Sequence, residues 1–511
     1  MAKTKLHKIE LYQFKDFPMD EFVEKYLYEV NPHEVIDEDT LSVYTSPKMK
    51  MTERREGARS KGIIVNKCKY LQDVIIRRAN SKKDSKTFSL NADILRSVIG
   101  KEYKPMLEVL RAMDYIEIGD GKGGEDKLKY YQLGKYSTIY TLKDVEVSKT
   151  KPFINFAIQG YKEKTIQLIK DLEDQYIYPR IVTKHGETFL KRYLTSLNYI
   201  KIEDRKGLTE YIKKKVSENK DTEPYYGYVV NQLDNKKKGI YRVDDSGRMY
   251  HILTNLDREV KQFLTIDFTL DCKNSHPLLF NYFIYKRSGV KQELTFQISS
   301  ILHNLQQYIP NFNYRNDGKN LRKLLIANGV EREEAARFYL EELYYIYLTS
   351  TGQLWDDICA RYPDLTRDEV KEEMFKAVFY SNSPDADRWN KFAEDFKKRF
   401  PFVYLLISDW KRERWANERK EYMEELHLPT DRGSASLSIA MMALEANIFT
   451  TILSRLYAKR WNAIHIHDCI VIPKDGNANH PTVEEVKKVM AEVYQEFGLA
   501  PTFDLKVYQT P

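Results

Sequence analysis

The stretch AIHIHDCIVIP, residues 463 to 473, places Asp468 inside an otherwise apolar run. The β-branched residues of this run favour a strand, and its apolar character predicts that the strand is buried. A carboxylate in such a place costs free energy unless it is paired or binds a cation. The stretch therefore predicts a core strand that carries a functional charge.

A second apolar segment also ends in an acidic residue. In LTIDFTLDCKNSHPLLFNYF, residues 264 to 283, Asp271 closes a strand-like run before Pro277 turns the chain into an apolar, helix-like stretch. Taken singly, either aspartate fits a helix cap or a salt bridge. Together they are what a two-metal phosphoryl-transfer site needs, because carboxylate oxygens hold two Mg²⁺ ions about 3.5 to 4 Å apart.

The segment TRDEVKEEMFKAVFYS, residues 366 to 381, lies between the two aspartates. It carries side chains at successive i, i+4 steps, which line one face of a helix. They are two cations followed by two rings: Arg367, Lys371, Phe375 and Phe379. Such a face could hold a triphosphate and stack on a base, and it could equally be a plain amphipathic helix with core rings and solvated cations.

The spacing R-x-x-x-K-x-x-x-F-x-x-x-F resembles the fingers helix of family A nucleic-acid polymerases, the DNA polymerase I type and the related single-subunit phage RNA polymerases. Further segments are similar to family elements and follow in the family's order between residues 150 and 511. They are SGRMY at 246 to 250, LDCKNSHP at 270 to 277, FAEDFKKRFPFVYLLI at 392 to 407, and the helix SLSIAMMALEANIFTTILSRL at 436 to 456 before IHIHDCIVI.

The resemblance implies a role for each matching residue. Asp271 and Asp468 would be the catalytic pair and would bind two Mg²⁺ ions, assisted by the backbone carbonyl of Cys272. Arg367 and Lys371 would neutralise the incoming nucleoside triphosphate. The remaining expectations are that Phe379 stacks near the nascent base pair and that Arg248 and His467 contact the DNA primer or template.

The sequence departs from the family at three places. Cys469 stands where the DNA enzymes have a third acidic residue, and Tyr380 and Ser381 follow Phe379 where a glycine is usual. No acidic constellation of a proofreading exonuclease precedes the polymerase-like part. Proofreading is therefore not expected.

The choice of sugar follows from two further positions. His276 stands five residues after Asp271, where the family's DNA enzymes have a glutamate that crowds the 2′ position. The RNA enzymes keep a fingers tyrosine, whereas Phe379 lacks a hydroxyl, and one helical step turns Tyr380 about 100° away. We expect a preference for deoxynucleotides with reduced discrimination.

Two histidines of the opening stretch, His465 and His467, alternate with an isoleucine and would share one face of a strand. This pattern could indicate zinc, but no third ligand lies nearby in the sequence. Contact with nucleic acid is the favoured interpretation.

The N-terminal part has a different character. A polar, basic stretch at 46 to 62 is typical of a linker, so residues 1–62 are expected to be an arm and linker. Beyond it the pattern predicts a capped helix from Ser89 to about Ile99, a second helix from about Lys104 to Met113, and two strands around a glycine-rich loop at 119 to 126. This is the order of a winged helix, whose second helix can enter a major groove while the wing lysines Lys122, Lys127 and Lys129 reach phosphates. A structural module that touches no DNA is the alternative.

Composition limits the remaining possibilities. The 511 residues carry a formal charge of +7 and include 37 tyrosines, which suits a polyanionic partner. Four widely spaced cysteines indicate neither a zinc ribbon nor a disulfide framework. No signal peptide or run of 18 apolar residues occurs, so we expect a cytoplasmic protein without a membrane partner.

These observations predict an α+β right-hand polymerase with an N-terminal winged-helix-like domain at 63–150, a basic helical thumb-like region at 151–240, and palm and fingers at 241–511. The expected function is that of a compact DNA-directed DNA polymerase of a phage or mobile element. A single-subunit RNA polymerase or primase is one alternative. Another is a DNA-binding replication initiator or regulator whose polymerase-like part is not catalytic. Protein partners are left open.

Overall fold

The structure is a computed structural model. It describes residues 10–28, 34–37, 42–45, 56–80, 86–90, 92–100, 103–118, 129–132, 135–151, 156–172, 177–219, 222–244, 246–310, 312–381, 383–412, 416–425 and 436–508. The wing residues Lys122 and Lys127 lie outside these ranges.

Strands and helices alternate irregularly in the first half of the chain. The strands are β1 Tyr12–Phe14, β2 Glu34–Asp37, β3 Ser42–Thr45, β4 Thr87–Ser89, β5 Ile116–Ile118, β6 Lys129–Gln132, β7 Lys135–Leu142 and β8 Val147–Lys149. The helices are α1 Met19–Tyr28, α2 Glu56–Ala79, α3 Ala92–Val98, α4 Tyr103–Ala112, α5 Phe156–Leu172, α6 Tyr178–His185, α7 Glu187–Tyr199, α8 Arg205–Glu218 and α9 Glu223–Asp234.

The second half is mainly helical around a small sheet. Its strands are β9 Arg242–Val243, β10 Met249–Tyr250, β11 Ile266–Cys272, β12 Ile464–Ile466, β13 Cys469–Pro473 and β14 Phe503–Val507. Its helices are α10 Ser275–Ser288, α11 Gln292–His303, α12 Leu305–Tyr308, α13 Tyr314–Asp317, α14 Leu321–Ala327, α15 Arg332–Ala336, α16 Leu340–Ser350, α17 Leu354–Cys359, α18 Arg367–Met374, α19 Lys391–Arg399, α20 Pro401–Trp410, α21 Ala416–Glu425, α22 Ser436–Ala458 and α23 Val483–Glu496.

The chain divides into two compact units rather than four consecutive segments. The first comprises Met1–Lys184, Asp204–Lys236 and Asn255–Asp257, and the second comprises His185–Glu203, Lys237–Thr254 and Arg258–Pro511. Among the described residues of 151–240 the structure has helices α5 to α9, of which α7 belongs to the second unit. The division therefore differs from the boundaries expected from composition.

The first unit contains a small antiparallel sheet around β7. Strand β7 pairs with β4, β5 and β6, so the strand before the helix pair lies beside the strand that returns after it. Helix α3 begins at Ala92, and Ser89 is the last residue of β4 rather than a cap, because its backbone pairs with Ile139.

The N-terminal arm expected at 1–62 is partly folded into this unit. Strand β1 pairs with β8, and buried side chains of β1 and α1, among them Phe14 and Phe22, pack in the same hydrophobic core as α2 to α4. Helix α2 also crosses the expected boundary at residue 62. The apolar residues of 12 to 26 form core, which is why this segment does not behave as a linker.

The second unit is organised on an antiparallel sheet in the order β12-β13-β11-β14. In β11 the residues Phe268, Leu270 and Cys272 are buried, and Asp271 lies on the opposite face with Thr269. Directly opposed residues share a face, so Cys469 and Asp504 lie on the same face as Asp271. This face carries the candidate site.

Helix α22 runs behind the site and packs against α10 and α23. Among the described residues, Leu437–Ala458 is the one helix whose length and apolar composition would suffice to cross a membrane, and 67% of its most apolar window is buried in the protein. That burial is what a core helix shows. The helix also contains the buried acid Glu445, which belongs to the site.

Candidate active site

Asp468 lies in the tight turn of the hairpin that joins β12 to β13, not within a strand. Ile466 pairs with Cys469, which leaves only His467 and Asp468 in the loop. His467 has a φ of 53°, in the left-handed region that is unfavourable for a residue with a side chain. The turn holds Asp468 at the end of the hairpin, next to β11.

The residue after each predicted catalytic acid, or the acid itself, connects β11 to the hairpin turn through the backbone. The N–H of Cys272 donates to the carbonyl oxygen of Asp468 over 3.0 Å, and Asp271 pairs directly with Cys469. Residues 197 positions apart in the chain (468 minus 271) are thereby neighbours. The structure thus brings together the pair that the sequence singled out.

Both carboxylates are destabilised as anions. Burial raises the pKa of Asp271 to about 6, although the nearby Arg258 lowers it, and Asp504 on the adjacent strand raises it further. Burial and then the charge of Asp271 raise the pKa of Asp468 well above its usual range. A divalent cation between the two would relieve this repulsion.

The donor set is suited to a hard cation but is small. Two carboxylates are the ligands that Mg²⁺ prefers, and it commonly completes its shell with water and substrate phosphate. Within the part of the chain that the structure describes, no group of three or more His, Cys, Asp or Glu side chains is placed to hold a metal. Asp271 and Asp468 therefore fit Mg²⁺ only if phosphate and water supply the remaining ligands.

The predicted triphosphate cations have different surroundings. Lys371 is half-buried, its ammonium lies 5.9 Å from the centre of the Trp355 ring, and its charge and that of Asp271 affect each other's pKa. Arg367 is exposed and pairs with Asp356 at 3.4 Å. Lys371 thus lies near the acid pair, whereas Arg367 lies at the rim.

The ring that faces the site is Tyr380 and not Phe379. After Met374 the helix continues as a π turn, Phe375–Phe379, in which the N–H of Tyr380 donates to the Phe375 carbonyl over 2.8 Å. This i→i+5 bond adds one residue to the turn. Phe375 consequently stacks on Tyr380 with ring centres 5.2 Å apart.

Phe379 instead packs in the core. It is 1% exposed and contacts Phe280 and Phe396, so its ring is not available to stack on a base in this structure. Tyr380 is 37% exposed, and its hydroxyl contacts Nδ1 of His276. The expectation that Phe379 faces the nucleotide and that Tyr380 points away was wrong, because it assumed a regular α-helix.

His276 and the three side chains that contact it, Arg248, Tyr380 and Glu445, form what we call the His276 cluster. Nη2 of Arg248 lies 2.7 Å from Oε1 of Glu445 and 2.9 Å from Nε2 of His276. Nε2 of His276 also lies 3.1 Å from Oε2 of Glu445. A proton on Nε2 is donated to Glu445, and without that proton Nε2 accepts from Arg248.

Glu445 is the buried anion of the His276 cluster. Burial would raise the pKa of its carboxyl group, but the hydrogen bond from His276 and the charge of Arg248 outweigh burial and hold this pKa at about 2. Asp244 organises the loop that carries Arg248, since its Oδ1 accepts from the N–H of Arg248 over 3.0 Å. These contacts hold the charged side chains of Arg248 and Glu445 in place, close enough to Asp468 for both charges to affect its pKa.

The histidines of the opening stretch do not share one face. His465 is 1% exposed, and its backbone carbonyl accepts from Nε2 of His251 over 3.1 Å. His467 occupies the turn, and its ring contacts Tyr250 at 5.9 Å. His465 is therefore a core residue. The pKa of His467 is lowered mainly by burial and then by the charge of Arg248, which lies nearby.

Sequence reasoning missed Glu445 and Tyr380. Glu445 is the one acidic residue in the apolar helix 436 to 458, and this isolated charge was a usable signal. No sequence signal announces the π turn that brings Tyr380 to His276. Asp504 was also missed, because its position opposite Asp271 depends on the register of β14.

No known protein family and no curated protein matches the chain. Among solved structures, the POL domain of Pol1 from M. smegmatis in complex with DNA primer-template and dNTP matches with a TM-score of 0.26 and 8% identity, over 68% of this chain and 72% of that one. A match at this level does not establish a shared fold.

Proposed function

We propose that this chain is a template-directed nucleotidyltransferase, and in particular a DNA-directed DNA polymerase. The observation that carries the proposal is the meeting of Asp271 and Asp468 at the β11 edge of the hairpin, with both pKa values raised. Lys371 and the His276 cluster flank the pair. Of these residues, the family A resemblance assigned Asp271 and Asp468 to metal, and Lys371 and His276 to the nucleotide.

The residues present would divide the work. Mg²⁺ held by Asp271 and Asp468, with the carbonyl of Cys272, would activate the attacking 3′-hydroxyl and neutralise charge on the transferring phosphate. Lys371 would bind the triphosphate, and Arg367 would close on it from the rim. Arg248 and His467 would contact the primer or template strand.

The proposal also covers the other parts of the chain. We infer that the sheet containing β11 is the palm and that α18, which carries Lys371, and α20 belong to the fingers. The helical region at 151–240 would serve as the thumb. The winged-helix order of the first unit supports duplex DNA as a partner. A phage or mobile element as the source and a cytoplasmic location belong to the same proposal.

Extension of a labelled primer in the presence of Mg²⁺ tests the activity. Asp271→Asn and Asp468→Asn should each lower incorporation by about a hundredfold to a thousandfold, since electrostatic groups of this kind supply about 3 to 4 kcal/mol. Asp267→Asn is the matched control, because Asp267 lies on the same strand but pairs with His480 at 3.0 Å.

Near-normal extension by either variant would remove the two-aspartate assignment. Failure of the wild-type protein to extend any primer, on DNA or RNA templates and with either kind of nucleotide, would contradict the function itself. The initiator alternative would then remain, with DNA binding as its only activity.

A single-subunit RNA polymerase or primase is the second candidate, and Tyr380 favours it. The RNA enzymes of the family keep a fingers tyrosine that helps recognise the ribose, and here the Tyr380 hydroxyl reaches His276. This removes the earlier reason for expecting a deoxynucleotide preference. If the Tyr380 hydroxyl stays paired with His276, it blocks the 2′ position of the nucleotide. If this hydroxyl turns towards the ribose, it can hydrogen-bond the 2′-hydroxyl, and the site admits a ribonucleotide.

Single-turnover incorporation of matched dNTP and NTP separates the two candidates. For a DNA polymerase we expect a dNTP preference that His276→Ala reduces by about tenfold, equivalent to about 1.4 kcal/mol. An NTP preference that Tyr380→Phe abolishes would instead assign the protein to the RNA enzymes.

A further inference from the structure

The π turn leaves helix carbonyls that the helix itself does not use. The last carbonyls of any helix lack intrahelical partners and need donors from elsewhere. Here the Phe375 carbonyl accepts from the N–H of Tyr380, and Val378, the second-last residue of the π turn, is fully buried. A buried carbonyl without a donor would cost about 1 to 3 kcal/mol.

Lys411 supplies that donor from another helix. It follows the last residue of α20, is 6% exposed, and its ammonium donates to the Val378 carbonyl over 2.5 Å. Burial lowers the pKa of Lys411 to about 7. Burial of a lysine costs stability, and its hydrogen bond to the Val378 carbonyl offsets part of this cost.

Neighbouring residues of the α20 end bind the segment that follows the π turn. The Ser408 hydroxyl donates to the Pro384 carbonyl, and Arg412 pairs with Asp385 at 2.9 Å. Together with Lys411 these contacts hold the chain on both sides of Tyr380. We call this set, Ser408, Lys411 and Arg412, the α20 clamp.

We propose that Lys411 is a positioning residue, which fixes the π turn through the Val378 carbonyl and so holds Tyr380 against His276 for recognition of the sugar. The part concerning the sugar rests on the proposed function. The part concerning Tyr380 does not, and it can be tested without any nucleotide.

The first experiment places 3-fluorotyrosine at position 380 of the full chain and records its ¹⁹F NMR signal. Lys411→Met keeps the length and apolar volume of the side chain but removes the donor, and should shift or broaden the signal. Lys391→Met, at an exposed lysine of α19, is the matched control and should leave it unchanged. An unchanged signal in folded Lys411→Met would overturn the proposal.

Should Lys411→Met fail to fold, Lys411→Leu takes its place. Leucine is also apolar and has no N–H to donate, so a shifted or broadened signal in this variant supports the proposal in the same way. An unaltered signal contradicts it.

The second experiment is a double-mutant cycle on sugar selection, measured as the ratio of dNTP to NTP efficiency. Lys411→Met should change this ratio at least fivefold in the wild-type background, mainly through the nucleotide KM, and should have no further effect in Tyr380→Phe. Equal changes in both backgrounds would show that Lys411 does not act through Tyr380. If the wild type incorporates no nucleotide, the proposed function fails, and the NMR result alone decides the positioning role.

Discussion

Lys371 and Arg367 lie one helical turn apart, yet their side chains differ in burial. Lys371 is half-buried beside Asp271, whereas Arg367 is exposed. A charged hydrogen bond in a partly desolvated site contributes about 1.5 to 3 kcal/mol, and an exposed pair contributes about 0 to 1 kcal/mol. The buried cation should therefore matter more for nucleotide binding.

We predict that Lys371→Gln raises the nucleotide KM by about 10- to 100-fold, and that Arg367→Gln raises it by less than about fivefold. Steady-state kinetics with a primed template measures both. A larger effect of Arg367→Gln would mean that the helix moves when nucleotide binds and brings Arg367 onto the phosphates.

At the scale of the element, α4 tests the winged-helix proposal. Its buried face includes Met106, Val109 and Leu110, and its exposed face carries Lys104, Glu108 and Arg111. Glu108 pairs with Arg111 at 3.2 Å, and Lys104 is the other cation of this face.

We predict that Lys104→Glu weakens binding of duplex DNA by the whole protein and lowers the slope of affinity against salt by about one to two ion equivalents. Fluorescence anisotropy over a salt series measures this slope. Lys149→Glu, which makes the same charge change on β8, is the control. Equal weakening by both would indicate a general charge effect and leave α4 a structural helix.

The end of α23 shows how a single backbone position fixes helix packing. Gly498 has a φ of 73°, and a Cβ at this position would lie 2.6 Å from the Cβ of Thr295 on α11. Gly476 has a similar φ of 64°, but nothing lies within 4 Å of its Cβ position. A substitution at Gly476 therefore adds backbone strain alone, whereas one at Gly498 adds both backbone strain and steric overlap.

We predict that Gly476→Ala lowers the free energy of unfolding by about 1 kcal/mol and that Gly498→Ala lowers it by about 3 kcal/mol or more. All five tryptophans lie in the second unit, so their fluorescence during denaturation reports this unit. Similar losses in the two variants would show that α11 moves aside at little cost.

At the scale of the whole molecule, buried histidines make the second unit sensitive to acid. Burial lowers the pKa of His251 to about 4 and that of His465 to about 3, while unfolded histidine titrates near 6.5. Between these values the unfolded chain binds protons that the folded chain does not. The stabilisation is complete above pH 6.5 and is lost as pH falls, by about 1.4 kcal/mol per pH unit and histidine. The raised pKa values of Asp271 and Asp468 act in the opposite direction.

A single variant separates these contributions. We predict that His251→Gln, whose amide can still donate to the His465 carbonyl, reduces the loss of unfolding free energy between pH 6.5 and about 4.5. Tryptophan fluorescence during urea titration at each pH measures the difference from the wild type. Parallel curves would show that His251 is not neutral in the folded protein.

The sequence by itself determined the residues whose chemistry depends on local pattern. The apolar runs around Asp271 and Asp468 predicted two buried strands that carry acids, and the period of the segment with Arg367 and Lys371 predicted a helix. The helix pair α3 and α4 was also predicted, because turns and apolar periods are local signals, whereas β1, α1 and α2 were not.

Only the tertiary structure decided which side chains face the site. Glu445 joins Arg248 and His276 because α22 packs on α10, and Asp504 lies opposite Asp271 because of strand register. Tyr380 replaces Phe379 because a π turn, whose buried Val378 carbonyl bonds Lys411, adds one residue to a helix that the sequence predicts to be regular. Such choices depend on contacts between segments far apart in the chain, and no local pattern encodes them.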